Sequence, residues 1–445
     1  MGKVKFFCLF LIIMQICTIA NYPASAATGI STENSPLLDS YAAYLVDLDT
    51  DTVLYEKNAG AALEPASLTK VMTALLLVEA GNLDQTVTVS QSALDAFNEY
   101  ETAQYSSNND LAVGEQLTRR SLLYCILVSS GSDACCVAAE AVSGSVSAFV
   151  ERMNQRAQEL GCTNTHFANP HGLHSDDHYT TAEDLARITR AALQYDAFME
   201  ACNTTAIEIP ATNLHEARYL KTTNYLLSTN TVGGYVYSRA SGVKTGYTSQ
   251  AGYCLISTAK NSRMSLLGVV MGATATNNGD DTYTIHSFTD MVSLFEYGFD
   301  NFVSAALLSP LDMVAELPIT LANSGAGIVV LSPVHAVTVM LPAGSDESLI
   351  RKELTLPEDP VEAPVAMGQV LGSISVYYDD QLIDTVDLAA ISDVERSQLQ
   401  VLRQQLQFYW EKPWVKLSVT CIAALVVLYL VRLCLPGRQN RRRRR

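Results

Sequence analysis

The sequence predicts an α/β domain over residues 36–300, then a small all-β domain over 301–392 and a C-terminal transmembrane helix. Three observations carry this. Strand patterns lie at both ends of the first stretch with helical patterns between them, proline and glycine punctuation thickens near 301, and a long apolar run lies close to the end of the chain. Strands at both ends with helices between them do not fit a repeat of parallel βαβ units.

Residues 1–26 read as a cleavable export signal. Lys3 and Lys5 precede the apolar run Phe6–Ile13, and Ala24-Ser25-Ala26 supplies the small residues that place cleavage after Ala26. Tyr41–Val46 and Thr52–Tyr55 are expected as two short strands around the turn Asp47–Asp51. After Pro65, residues 67–80 form an apolar helix that Gly81 stops. Residues 118–160 are largely helical, with breaks at Ser129–Gly131 and Ser143–Gly144, and 164–182 read as a loop. Thr181–Gln194 is a helix with Thr181 as its N-cap. Strands follow at Gly252–Thr258 and Ser265–Met271, then a helix over Ser287–Tyr297.

Beyond 301 the texture changes: seven of the fourteen prolines fall between 310 and 364. Short runs such as Ile328–Leu331, Ala336–Leu341 and Ser373–Tyr378 alternate with that punctuation, the pattern of a small β domain. Residues 393–413 read as an amphipathic juxtamembrane helix. Trp414–Leu435 is long enough to span a bilayer, since about 20 apolar residues suffice. Trp410 and Trp414 stand at one end as an interfacial belt, and Arg438 with Arg441–Arg445 at the other. The positive-inside rule places the basic tail 436–445 in the cytoplasm and the bulk of the chain on the extracytoplasmic face of a bacterial cell membrane.

The two ends hold 10 of the 29 basic residues and none of the 46 acidic ones, which leaves 19 basic residues between them and a net charge of −27. Such a surface argues against nucleic acid or anionic lipid as a partner and keeps an exported domain soluble. Six of the ten cysteines lie in the exported part: Cys125, Cys135, Cys136, Cys162, Cys202 and Cys254. Their spacing is not that of a small stapled fold, and they are expected mostly as buried thiols.

Three short motifs carry chemistry. In Ser67-Leu68-Thr69-Lys70, residues i and i+3 of a helix share a face, so the hydroxyl and the amine can meet. A neutral lysine can then serve as the base that a serine nucleophile needs. The helix N-terminus adds free N–H groups that favour an oxyanion. Ser130-Gly131-Ser132 sits at a break between helices, where a serine could relay a proton to a leaving amine, and Ser132 could cap the following helix. Lys244-Thr245-Gly246 precedes a strand, an arrangement that suits a peptide laid alongside as an added strand. Each motif alone is common; the set, in this order and in an exported chain, is the signature of penicillin-binding proteins and class A β-lactamases.

Beyond the motifs, roughly residues 36–390 resemble the D-alanyl-D-alanine carboxypeptidases among the low-molecular-weight penicillin-binding proteins. The stretches that carry the likeness are Glu64–Ala74 (EPASLTKVMTA), Leu127–Ala134 (LVSSGSDA), Asn169–Leu173 (NPHGL), Tyr179–Ala186 (YTTAEDLA) and Gly242–Leu255 (GVKTGYTSQAGYCL). The resemblance implies a serine β-lactamase/transpeptidase-like domain with an antiparallel sheet and a helical subdomain. It implies Ser67 as nucleophile, Lys70 as its base and Ser130 as proton relay. It further implies that Lys244, Thr245, Gly246 and Ser132 meet substrate, with the backbone N–H groups of Ser67 and Tyr247 as the oxyanion hole. The expected partners are peptidoglycan stem peptides, β-lactam antibiotics and the membrane; no cofactor is expected.

The family's second motif usually ends in Asn, where this chain has Ser132, so contacts to substrate or Lys70 are expected to weaken. Of the two lysines brought to one cleft, Lys70 is expected to be the one driven neutral, because Lys244 has an anionic substrate to meet. His171, His174 and His178, with Asp176 and Asp177, fall in a loop after Pro170 and not at helical metal-ligand spacing, so no metal is expected. A β-lactamase of the same fold is the nearest alternative, though no E-x-x-L-N stretch lies between Ser132 and Lys244. An endopeptidase and a non-catalytic envelope protein that binds cell-wall peptides complete the alternatives.

Overall fold

A computed structural model describes residues 35–434 apart from 228–233, 280–281 and 324–326, so the expected export signal and basic tail lie outside the described residues. The chain divides into two compact units at Phe302/Val303.

In the first unit, strand β1 (Ala42–Asp47) turns into β2 (Val53–Lys57). Both strands begin one residue later than expected and end one or two residues later. A single turn of 3₁₀-helix, Ala66–Thr69, then leads into helix α1 (Lys70–Glu79). The expected start of the helix at 67 is therefore corrected: Ala66 takes a positive φ of 46° after Pro65, and regular α geometry begins only at Lys70. Every residue of α1 from Lys70 to Val78 is buried, as a helix apolar on all sides should be.

The expected helical stretch 118–160 resolves into α2 (Arg119–Leu127), α3 (Ser132–Ser143) and α4 (Val146–Glu159), broken where glycine and serine stand. Helix α5 (Ala182–Ala192) starts as expected, with the Thr181 hydroxyl accepting from the Asp184 N–H. These helices pack around α1 in one continuous core.

Three long strands follow: β3 (Ala240–Thr248), β4 (Gly252–Lys260) and β5 (Ser265–Ala273), then helix α6 (His286–Asn301). The five strands form an antiparallel sheet in the order β2-β1-β5-β4-β3, so β1 from the start of the unit pairs with β5 from near its end, and β3 forms an edge. Strand β3 carries an irregularity between Ser241 and Lys244, just where the third motif begins.

The second unit is built on a six-stranded sheet in the order Ile350–Thr355, Val370–Tyr378, Gln381–Ala390, Ile328–Pro333, Ala315–Thr320 and Val361–Glu362. Its core includes Val329, Leu331, Val376, Val386 and Leu388, supplied by alternate positions of those strands. The juxtamembrane helix spans Gln398–Trp410, shorter than expected, because Val394 and Arg396 pair instead with Val365 and Ala322. Pro413–Cys434 is one continuous helix, long and apolar enough to cross a membrane.

Candidate active site

The 3₁₀ turn before α1 holds the first motif. In a 3₁₀-helix, side chains three residues apart eclipse one another, so Ser67 and Lys70 face the same way. The Lys70 Nζ lies 2.8 Å from the Ser67 Oγ and 2.6 Å from the backbone carbonyl of His171. Lys70 is only 1% exposed, and that burial pushes its amine below the usual lysine range, against the pull of the Asp133 carboxylate.

The loop Asn169–Leu173 seals this turn from below. The Asn169 carboxamide accepts from the His171 and Gly172 N–H groups and donates to the Leu173 carbonyl, while the Thr73 hydroxyl of α1 donates to the Pro170 carbonyl. Gly172 has a φ of +86°, and a Cβ there would fall on the Ala66 carbonyl, so the close approach requires glycine. His178 braces the same turn. Its Nδ1 accepts from the Ala168 N–H, so its Nε2 carries the proton and donates to the Thr69 hydroxyl, which in turn donates to the Ala66 carbonyl. Burial holds the His178 pKa down at about 3.

Two histidines of this loop thus support the nucleophile's turn, His178 through Thr69 and His171 through its carbonyl. His171 lies buried beneath Tyr100, whose ring meets it edge-on at 4.7 Å, and His174 pairs with Glu64 at the surface. Among the described residues, no group of three or more His, Cys, Asp or Glu side chains could hold a metal ion.

Ser130 sits between α2 and α3 with a φ of 62° and is 4% exposed. Such backbone is unusual for a non-glycine residue and persists only where the surroundings enforce it. The enforcement is visible. The Gly131 N–H donates to the Cys125 carbonyl, and the Ser132 N–H donates to that of Ser107. The buried Asp133 carboxylate accepts from the N–H groups of Asn109, Leu111 and Ala134. The Asn109 carboxamide donates to the Ser129 hydroxyl. Arg218 locks the far side of this loop, donating to the Asn109 carbonyl and forming a bidentate pair with the fully buried Glu115. Ser132 is the first residue of α3, with Gly131 in the cap position, so its hydroxyl is not the helix cap. It lines the cleft.

The third motif lies on β3. Gly246 passes directly against the first motif: a Cβ there would stand 3.1 Å from the Ser67 nitrogen and 3.2 Å from the Pro65 carbonyl oxygen. The Thr245 hydroxyl meets that of Thr223 at 2.6 Å, and Lys244 is buried with its amine donating to the Thr245 carbonyl. Burial lowers both lysine amines, and the Lys70 charge adds to the desolvation of Lys244.

A cleft of about 300 Å³ joins the motifs; Ser67, Ser130, Ser132, Thr245, Gly246 and Tyr247 all line it. Lys70 and Lys244 stand behind its wall. A larger surface hollow of about 460 Å³, around Glu79, Arg152 and Arg156, holds none of the motif residues. Sequence reasoning missed Asn109, Asp133, Glu115, Arg218 and Thr223. Asp133 alone carried a signal, as an acidic residue in the first turn of a helix.

Comparison with known proteins follows the same outline. Residues 30–275 match the family described as D-alanyl-D-alanine carboxypeptidase, and residues 319–396 match the C-terminal domain of penicillin-binding protein 5. The chain is 30% identical over 374 residues to the D-alanyl-D-alanine carboxypeptidase DacF of Bacillus subtilis, covering 84% of this chain and 90% of the relative. It is 29% identical over 369 residues to the carboxypeptidase DacA of Escherichia coli K12, covering 81% and 84%. Among solved structures, penicillin-binding protein 5 of Haemophilus influenzae superposes with a TM-score of 0.62 at 28% identity, covering 82% of this chain and all of that one.

Proposed function

The chain belongs to the D-alanyl-D-alanine carboxypeptidase family, and from that premise we propose that it removes the terminal D-alanine of peptidoglycan stem peptides through an acyl-Ser67 intermediate. The observation that carries the reading is the 2.8 Å contact between the Lys70 amine and the Ser67 hydroxyl at a buried, desolvated site. Neutral Lys70 takes the hydroxyl proton as Ser67 Oγ attacks the carbonyl carbon of the penultimate D-alanine. The oxyanion that forms is met by the N–H groups of Ser67 and Tyr247, each worth about 3–4 kcal/mol. Ser130 passes the proton to the departing nitrogen, the C–N bond breaks, and D-alanine leaves. Water then attacks the ester, and the same groups run in reverse.

Lys244, Thr245 and Ser132 hold the substrate, with the terminal carboxylate at Lys244 and Thr245 and the peptide alongside the free edge of β3. Penicillins, whose strained amide mimics D-alanyl-D-alanine, acylate the same serine. The domains divide as catalytic (36–300) and small β (301–392), followed by the juxtamembrane helix Gln398–Trp410. The helix Pro413–Cys434 anchors the protein, with the catalytic domain on the extracytoplasmic face.

The test is incubation of the full chain in detergent with labelled penicillin, and separately with diacetyl-Lys-D-Ala-D-Ala, each beside Ser67→Ala. Label on Ser67 together with release of D-alanine supports the reading. Label without release favours a cell-wall peptide binder, and rapid penicillin turnover a β-lactamase. Label that persists in Ser67→Ala sinks the assignment of the nucleophile.

A further inference from the structure

We propose that the cleft beside Ser67 carries an aromatic subsite, walled by Tyr225, Tyr247, Tyr253 and Phe288, that takes the aliphatic arm of the residue preceding D-alanyl-D-alanine and discriminates against an arm ending in a free carboxylate. This rests on the carboxypeptidase reading and narrows its substrate class.

The wall is a built surface. Tyr225 stacks on Phe288 at 5.2 Å, and Tyr235 packs against the same Phe288 at 5.0 Å. The Tyr235 hydroxyl accepts from the Ile285 N–H at 2.7 Å and donates to the Tyr283 carbonyl, which fixes this cluster to the start of α6. Asn224 ties the Tyr225 segment to β3 by donating to the Gly242 carbonyl at 2.8 Å. Across the β3–β4 hairpin, Tyr247 and Tyr253 pair with ring centroids 4.4 Å apart. Tyr225, Tyr247, Tyr253 and Phe288 all line the cleft that contains Ser67.

The direction of β3 says which part of a substrate meets these rings. Lys244 and Thr245, which hold the carboxylate, precede Tyr247 along the strand. The acyl part of the peptide therefore extends the other way, past Tyr247 and Thr248 towards the hairpin. Charge then sets the selectivity. None of the described residues that line the cleft is Asp, Glu, Lys, Arg or His. The two lysines behind it are buried and engaged with Ser67, His171 and Thr245. Aromatic faces are the negative part of the ring quadrupole, so a carboxylate pressed against them loses hydration and gains no cation in return. An uncharged aliphatic arm buries apolar surface there. An ammonium is partly compensated by attraction to the ring faces.

The probes are three Nα-acetyl-Lys-D-Ala-D-Ala peptides with the ε-amine acetylated, free or succinylated, assayed for D-alanine release by the full chain in detergent. Expected kcat/KM is highest for the acetylated arm and about tenfold lower for the succinylated one, with the free amine between them. Tyr247→Arg, at a side chain 57% exposed, supplies the missing cation and should abolish most of that ratio. Tyr253→Ala should reduce it. Penicillin labelling at Ser67 checks that each variant is folded, and Tyr247→Arg decides alone should Tyr253→Ala fail to label. Equal cleavage of the acetylated and succinylated peptides, or a ratio unmoved by Tyr247→Arg, overturns the proposal. Labelling without D-alanine release from any peptide would sink the carboxypeptidase reading instead. The subsite would then stand or fall on whether benzylpenicillin acylates faster than its α-carboxylated analogue.

Discussion

The contact between β3 and the nucleophile turn makes Gly246→Ala a sharp test of the oxyanion assignment. The new methyl would stand 3.1 Å from the Ser67 nitrogen, 3.2 Å from the Pro65 carbonyl oxygen and 3.3 Å from the Ala66 Cβ. Favourable non-bonded separations are about 3.5–4.0 Å, so strand and turn must part by a few tenths of an ångström. Two of the three atoms are backbone, and the buried sheet and helix on either side resist the movement. The displacement falls on the two N–H groups assigned to the oxyanion. Losing one such donor outright costs about a hundredfold to a thousandfold in rate. A donor moved by only part of an ångström should cost less, and we expect penicillin acylation of Ser67 to slow between about tenfold and a hundredfold. Gly246 has no positive φ, so alanine strains no dihedral of its own, but the overpacking costs about 1–3 kcal/mol and should lower the melting temperature by a few degrees. Gly60→Ala, where a Cβ meets nothing within 4 Å, is the control. Acylation within threefold of the parent would refute the placement of the oxyanion beside Gly246.

Further outcomes follow from the same site. Ser132→Asn places an amide where a short hydroxyl now lines the cleft, and one added hydrogen bond of about 1 kcal/mol should raise D-alanine release about fivefold; a fall in kcat/KM would show that Ser132 suits this chain's own substrate. Acylation by penicillin should rise with pH and level off above the lowered pKa of Lys70, because only the neutral amine is a base. A profile flat throughout that range would remove Lys70 from the role. Thermal stability should fall as pH drops through the window from 6.5 to about 3, where unfolded His178 binds a proton that the folded chain excludes. At pH 5 its share of the loss is about 2 kcal/mol, and His178→Asn should flatten that part of the curve in pH-dependent melting.

The catalytic set was legible because its chemistry is local. Ser67 and Lys70 are one turn apart, and Lys244-Thr245-Gly246 runs along a single strand, so spacing alone brings the groups together. What holds them could not be read that way. Asp133 accepts from Asn109, Arg218 closes on Glu115 and Thr223 meets Thr245, contacts that span 22 to 103 residues. None of these residues sits in an apolar period, and a polar side chain in a loop gives no sign of whether it will be buried. His171 shows a further limit. Its part at the site is played by a backbone carbonyl, which every residue has, so no choice of side chain could announce it. Helix boundaries failed for a physical reason too. Pro65 and the left-handed Ala66 force a 3₁₀ turn where the apolar pattern continues smoothly, and pattern reports which residues are buried, not which helix they form.

The same carbonyl explains how a buried lysine becomes a base with the right aim. A neutral amine has two N–H groups and one lone pair. The His171 carbonyl can only accept, so its 2.6 Å contact takes an N–H and leaves the lone pair free to turn to the Ser67 hydroxyl at 2.8 Å. Lys244 completes the arrangement. Burial, with the Lys70 charge beside it, pushes it towards the neutral form, and a substrate carboxylate at its side would restore its charge. That restored charge, sharing one site with Lys70, presses the second amine further towards neutrality. A substrate with a free terminal carboxylate therefore helps to arm the base that attacks it. A peptide ending in D-alanine methyl ester should lose acylation rate more steeply at low pH than the free acid does. Parallel pH profiles for the two would show that the lysines titrate independently.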